Sequence, residues 1–297
     1  MRKLVGETSV RTPRSSDPQP LSAAAALVRR HDRDRFQTAL FAPAARREAL
    51  FALYAFNYEI ARVRESVSQP ILGRIRLEWW RENVAAAFAG GSVRRHEIVA
   101  ALTAAIRERA LTRAHFDRLI DARESDFDEA PPASLAALED YAEATSARLV
   151  MLALEILDVR TRPAAEAAHH VGIAYALAGL LRAMPLRAGA GRPIIPADIA
   201  TRSGLDSGDW QAQRATPALR AAIAEVAAAA SSHLSAARAR PGGVPRAALP
   251  ALLPAVVATG WLRRLQRARY DPFDPAATRP DPLQGWRLAA AALRNRF

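Results

Sequence analysis

Acidic side chains at helical spacing are the first feature of this sequence that could do chemistry. Asp117, Asp121, Glu124 and Asp128 recur at i, i+4, i+7 and i+11, with Asp126 and Glu129 beside them. On one continuous helix these carboxylates form a stripe able to hold Mg²⁺ through oxygen. Arg113, Arg118 and Arg123 are interleaved at ion-pairing spacing, and a solvated, salt-bridge-laced face is the usual meaning of such a pattern. Glu139, Asp140 and Glu143 form a second cluster beside Tyr141. Read as the start of a helix, they are explained by its N-terminal dipole. The adjacent His169 and His170 point about 100° apart on a helix, too far to share a metal readily, and read as structural. Basic segments occur at 29–35, 74–81 and 263–269, the second carrying Trp79 and Trp80. Base stacking is one reading of the tryptophans and a buried helix face the other. No nucleic-acid-binding module is visible, so nucleic acid is not an expected partner. HExxH, GxSxG, the P-loop and GxGxxG are all missing from the sequence, which leaves it without a common hydrolase, zincin or nucleotide signature.

The elements that must carry these side chains read as helices. After Leu21 the chain is dominated by Ala, Leu, Arg and Glu, strong helix formers, and period-2 alternation of β-branched residues is hard to find. Breakers divide it into about ten helical stretches: Gly90-Gly91-Ser92, Pro131-Pro132, Pro163, a loop over 189–196, Ser203 to Pro217, Arg240 to Pro245 and the proline-spaced 271–282. Met151–Leu157 and Val171–Leu181 are apolar around most of their circumference, which places them in the middle of a helical assembly. Small residues in the second, from Gly172 to Gly179, permit close helix approach or leave room for an apolar ligand. No loop forces a domain boundary and no long repeat is apparent. The expectation is an all-α single-domain bundle over residues 21–297, preceded by a disordered tail over 1–20.

Composition bounds the function. The 297 residues include no cysteine, so disulfides, thiolate nucleophiles and Cys-ligated metals are excluded. The formal charge of +12, with Lys3 as the only lysine, points to an anionic partner such as an acidic membrane surface or a phosphorylated molecule. The longest uncharged run, Ala247–Leu262, spans 16 residues and contains two prolines, short of the ~20 apolar residues a membrane span needs. The N-terminus lacks the apolar core of a secretory signal.

Four collinear segments resemble the squalene/phytoene synthase family of head-to-head prenyl synthases. They begin at Asp32 (DRDRFQTALFAPAARREALFALYAFNYEIARVRES), Ile71 (ILGRIRLEWWREN), Leu119 (LIDARESDFDEAPPASLAALEDYAEATSARL) and His169 (HHVGIAYALAGLLRAMPLRAGAGRPIIPADI). The resemblance implies an isoprenoid-synthase-type helical bundle around a central cavity. It also implies two aspartate-rich motifs on facing helices, whose carboxylates hold the Mg²⁺ that bridges prenyl diphosphates. Here the first motif places Ala61 and Arg62 where aspartates are expected and keeps an acid only at Glu65; the second places Ala176, Gly179, Ala183 and Arg187 at its polar positions. Arginines where a dication should sit oppose metal binding, so the motifs read as degenerate.

One branch of the family is matched where the enzymes differ: the mitochondrial complex I assembly factors of phytoene-synthase-like fold, with their bacterial relatives. The matching residues are Ala55-Phe56-Asn57-Tyr58-Glu59-Ile60-Ala61, Val67-Ser68, Arg76 to Trp80, Tyr141-Ala142-Glu143-Ala144-Thr145, Leu181-Arg182-Ala183-Met184-Pro185 and Ile195-Pro196-Ala197-Asp198-Ile199. The resemblance implies a non-catalytic role in assembling respiratory NADH dehydrogenase, with complex I subunits or assembly intermediates as partners and no cofactor. It implies residence in the cytoplasm, peripheral to the inner membrane, or on the matrix side of that membrane in a eukaryote. The alternative is a head-to-head prenyltransferase with an unusual Mg²⁺ site drawn from Glu59, Glu65 and Asp126 or Glu143. A third reading keeps binding of a prenyl or other apolar-tailed anion without chemistry. The candidate ligand contacts are Tyr54, Tyr58, Glu59, Arg62, Arg64, Tyr141, Arg182 and Arg187.

Overall fold

The computed structural model describes residues 21–189, 194–206, 208–209, 212–239 and 243–297, and among them there is no strand. The tail expected over 1–20 lies outside the described residues. Two short helices open the domain, α1 (Ala23–His31) and α2 (Arg33–Ala39). Ser22 caps the first by accepting from the Ala25 amide, and Asp32 caps the second by accepting from the Arg35 amide at 3.1 Å; such side-chain caps satisfy amides that a helix start leaves unpaired. Next come α3 (Ala44–Ala61), a 3₁₀ turn over Val63–Ser66, α4 (Pro70–Phe88), α5 (Glu97–Arg109) and α6 (Arg113–Asp121). Then α7 (Leu135–Ala142) runs through a π turn (Glu143–Ala147) into α8 (Arg148–Ile156).

The centre of the bundle is α9 (Arg162–Arg182), against which α7, α8, the π turn, α12 (Pro217–Arg238) and α14 (Pro254–Arg267) all pack. Its buried positions are nearly all small or aliphatic: Ala164, Ala167, Ala168, Val171, Gly172, Ile173, Ala174, Leu177, Ala178 and Leu181. This settles the two uses the sequence left open for its small residues in favour of close approach, at least at Gly172. A Cβ built there would lie 2.3 Å from Ala147 Cα and 2.5 Å from Ala147 N. Pro185 has no amide to continue the α9 ladder, and the chain turns through Ala183 into α10 (Met184–Gly189). Then come α11 (Ala197–Ser203), before α12, and α13 (Leu249–Leu252), α15 (Pro275–Thr278) and α16 (Gln284–Leu293) around α14.

The structure corrects two readings of the acidic residues. The stripe is not one helix face, because α6 stops at Asp121 and a 3₁₀ turn follows over Ala122–Phe127. The tighter winding changes the angular step per residue, so the carboxylates part company. Asp117 pairs with Arg113, Asp121 with Arg81, and Glu124 with Arg74, all on the surface, while Asp126 and Asp128 turn toward a cavity. The second cluster does not open a helix either, since α7 already begins at Leu135 with Ser134 as its cap. Glu139 instead contacts His233 at 3.2 Å, and Glu143 pairs with Arg148 at 2.6 Å.

The His169–His170 pair is held as a structural feature. His170 Nδ1 meets His233 Nδ1 at 2.9 Å, joining α9 to α12. With His170 Nδ1–H donating to His233 Nδ1, the His233 Nε2–H is free to donate to Glu139 at 3.2 Å. Trp80 is buried against Phe56 and its ring is perpendicular to that of Trp79, which selects the buried-face reading over base stacking.

Gly172 yields a sharp test of this packing. Gly172→Ala should destabilise the fold by about 3 kcal/mol, because the added methyl meets backbone that cannot rotate aside. Thermal unfolding of the two proteins measures this, and an unchanged Tm would show that the α9–π-turn contact is not close.

Candidate functional site

Between the end of α3, the α6–α7 connection and α10 lies a cavity of about 900 Å³. Its wall includes Ala61, Arg64 and Glu65 from the first degenerate motif, Tyr141 from α7 and Arg187 from α10. The two motifs therefore meet at one space. Asp126, Asp128 and Glu129 reach it from the α6–α7 connection, and the apolar share comes from Pro70, Phe127, Leu138, Leu180 and Ile194. The prolines Pro131 and Pro132 form part of the rim, held where the Ala197 amide donates to the Pro132 carbonyl at 2.9 Å.

One polar cluster in this wall is built rather than merely present. Tyr141 donates to Asp126 Oδ1 at 2.7 Å and accepts from Arg123 Nη1 at 2.8 Å; Arg123 lies 3.5 Å from the other Asp126 oxygen. The Arg123 and Asp126 side chains are 11% and 17% exposed, so this pair is largely withdrawn from water. Desolvation pushes the Tyr141 phenol up to about 12, against the pull of the Arg123 and Arg187 charges and with the help of Asp126. The phenol is a neutral donor at any physiological pH. Thr145 Oγ1 donates back to the Tyr141 carbonyl at 2.7 Å, a bond that competes with the helical ladder where α7 widens into the π turn. The Tyr-Ala-Glu-x-Thr sequence thus marks a change of helical winding at the cavity wall, not the start of a helix.

The remaining candidate residues are dispersed. Arg62 leaves the cavity, stacks on Tyr58 with its guanidinium carbon 5.4 Å from the ring centroid, and sits 4.0 Å from Glu59; Tyr58 in turn stacks on His31. Tyr54 is buried beneath Arg35, whose guanidinium also lies over Tyr175 at 4.7 Å. Burial raises Tyr54 and Tyr175 well above the usual phenol range. Arg182 bonds Asp34 at 2.8 Å and lies over the Trp261 ring. Asp34 also accepts from Gln284 at 2.8 Å. Ala183 is half-buried at the turn after α9 and does not line the cavity. Of the eight candidate ligand contacts, the structure brings Arg64, Tyr141 and Arg187 to the cavity and sends Tyr54, Tyr58, Glu59, Arg62 and Arg182 elsewhere.

Sequence reasoning did not find the Asp34–Arg182–Gln284 cluster, whose members lie 148 and 250 positions from Asp34 and share no local pattern. Arg123 was detectable as an i, i+3 partner of Asp126, but not its bond to Tyr141.

A Mg²⁺ site of the family kind needs several carboxylate oxygens converging on one point. The residues do not fit it. Ala61 and Ala183 carry no donor atom, Arg62 turns outward and Arg187 brings a positive charge to the wall. Asp126 is committed to Arg123 and Tyr141, and Glu143 to Arg148. Among the described residues no three His, Asp or Glu side chains are grouped so as to hold a metal ion.

An all-helical bundle with two facing motif positions on a single cavity is the architecture of the head-to-head prenyl synthases, and the chain belongs to the squalene/phytoene synthase family, whose profile matches residues 28–290. It is 32% identical over 272 residues to the protein named NADH dehydrogenase (ubiquinone) complex I, assembly factor 6 from Bos taurus, covering 91% of this chain and 81% of that one. A presqualene diphosphate synthase from Rhodopseudomonas palustris is 29% identical over 199 residues, covering 66% of this chain and 69% of its own. Among solved structures, the squalene synthase HpnC from Alicyclobacillus acidocaldarius superposes with a TM-score of 0.74 at 23% identity, over 84% of this chain and 94% of that one. A dehydrosqualene synthase crystallised with a ligand reaches 0.79 at 17% identity, over 92% and 94%. At these identities the structural likenesses establish the fold.

Asp126 and Glu65 are predicted to behave differently on substitution. Asp126→Ala strands the buried Arg123 charge and should cost about 2 kcal/mol. Glu65, exposed and without an ion-pair partner among the described residues, should tolerate alanine within about 0.5 kcal/mol. Urea unfolding distinguishes them, and equal effects would contradict a structural role for the Asp126 cluster.

Proposed function

We propose that this protein is a non-catalytic assembly factor for respiratory complex I that keeps the prenyl-synthase fold without its metal chemistry. The observation that carries this reading is at the cavity. Ala61 and Arg187 line it, and together with Arg62 and Ala183 outside its wall they occupy the positions where the family resemblance expects carboxylates. The relatives named as complex I assembly factor 6, which share about a third of their residues with this chain over most of its length, support the same direction. Complex I subunits or assembly intermediates are then the partners. No helix among the described residues is long and apolar enough to cross a membrane, in keeping with action at the membrane face where complex I is built: the cytoplasmic face in a bacterium, the matrix face in a mitochondrion. Deleting the gene should remove assembled complex I, seen as loss of the complex on native gels and of NADH:quinone activity. A deletion strain with normal amounts of the complex would falsify the proposal.

A second reading concerns what the cavity holds, and its support is the presence of Arg64 and Arg187 in a wall that also has an apolar share. Such a wall suits an anionic headgroup with an apolar tail, bound without a metal. Purified protein given farnesyl diphosphate and Mg²⁺ should release no diphosphate and form no squalene-type product. In chelator, farnesyl diphosphate should still bind, and Arg187→Glu should weaken it at least about tenfold through loss of one charge-assisted contact and gain of a repulsive charge. Turnover with Mg²⁺ would return the protein to the synthases; no binding in chelator would reject the second reading alone.

A further inference from the structure

The C-terminal helix α16 is held firmly on one side and bare on the other. On the inner side Leu288 is fully buried with Leu249, Leu253 and Val257. Arg287 pairs with Asp281 at 2.8 Å, an aspartate that also holds Arg264. Gln284 bonds Asp34 and Gln37, both at 2.8 Å. On the outer side Leu283 is 54% exposed, Trp286 77% and Leu293 81%. At about 100° per residue these three fall within roughly 80° of helical arc, opposite Leu288. A tryptophan so exposed on an anchored helix, with two leucines in line with it, forms an apolar stripe of the kind that marks an interaction site.

The charges beside this face that lack a partner among the described residues have one sign. From residue 282 to 297 the sequence contains Arg287, Arg294 and Arg296 and no Asp or Glu. Arg294 and Arg296 are exposed and, among the described residues, form no ion pair. The other large exposed apolar group, Ile71, Leu72 and Ile75 on α4, differs in this respect. Around it Arg74 is matched by Glu124, Arg76 bonds Ser66, and Glu78 and Glu82 follow on the same helix. Mixed signs suit a protein surface, whereas an outward Trp–Leu stripe followed by two unpaired arginines suits anionic headgroups above an acyl layer.

We propose that the outer face of α16 docks this protein on an anionic lipid bilayer, with Trp286, Leu283 and Leu293 in the headgroup–acyl boundary and Arg294 and Arg296 on lipid phosphates. The helix lies in the plane of the surface and crosses nothing.

The test is sedimentation of the purified full-length protein with phosphatidylcholine vesicles, with and without phosphatidylglycerol, at low and high salt. Binding to the anionic vesicles should be at least about tenfold stronger than to neutral ones and should fall at high salt. Trp286→Ser with Leu293→Ser should abolish it while leaving the helical circular dichroism and Tm unchanged, since both side chains are exposed. Arg294→Gln with Arg296→Gln should remove the preference for anionic lipid, and Ile71→Ser with Ile75→Ser should leave binding intact. Absent or charge-independent vesicle binding overturns the proposal, as does binding that survives the Trp286/Leu293 change or depends on Ile71 and Ile75. If the wild type ignores vesicles and the Trp286/Leu293 change nevertheless reduces assembled complex I, the face belongs to a protein partner and the proposal fails.

Discussion

Close approach of neighbouring helices to α9 is the constraint on which the rest of this structure depends. Seven described elements contact that one helix, and they can do so only because its buried positions are mostly Ala and Gly, with Gly172 set directly against the Ala147 backbone. Dense interiors leave little room for adjustment. Once α9 is crowded on these sides, the π turn beside it, the direction of α7 and the place of Tyr141 in the cavity wall follow. The proline after α9 then sends Arg187 into a separate short helix that faces the same space.

Charge is handled in two different ways within this frame. Around Asp34, which is 9% exposed, positive and negative groups close on each other. Arg182 and Gln284 meet that carboxylate, and Arg182 also rests on Trp261, tying α2 to α9 and the C-terminal segment. An ionic cluster of this kind, built on a buried carboxylate, joins elements that lie far apart in sequence, and the cost of desolvating Asp34 is offset because it has partners. The Arg123–Tyr141–Asp126 cluster does the same in the cavity wall. Arg64, Glu65 and Arg187 are different: they line the cavity without an ion pair among the described residues.

That contrast bears on the proposed loss of metal chemistry. The alanines and arginines where the family resemblance expects carboxylates offer no metal donor, yet the cavity wall is ordered by specific hydrogen bonds. Structural neighbours at TM-scores of 0.74 and 0.79 keep the same bundle. Selection for packing and selection for metal chemistry act on different atoms, so one can persist without the other.

Much of this was legible in the chain itself. The helical content and the buried character of Met151–Leu157 and Val171–Leu181 are local properties, readable from residue type and period, whereas Ala61, Arg62, Ala183 and Arg187 stand out only through the family resemblance. The excess of arginine and the absence of cysteine are likewise matters of composition. What the sequence could not reveal is direction. A period of 3.6 assumes an unbroken α-helix, so the change to 3₁₀ winding after Asp121 split the first acidic stripe, while the second cluster lies inside and just after a helix that starts upstream at Leu135. Arg62 and Arg187 both stand where the family resemblance expects acids, but one stacks outward on Tyr58 and the other faces the cavity. Only the tertiary structure decided which arginines pair with buried aspartates and which stay open to a ligand, because ion pairing depends on distances of a few ångströms between residues separated by up to 148 positions of chain.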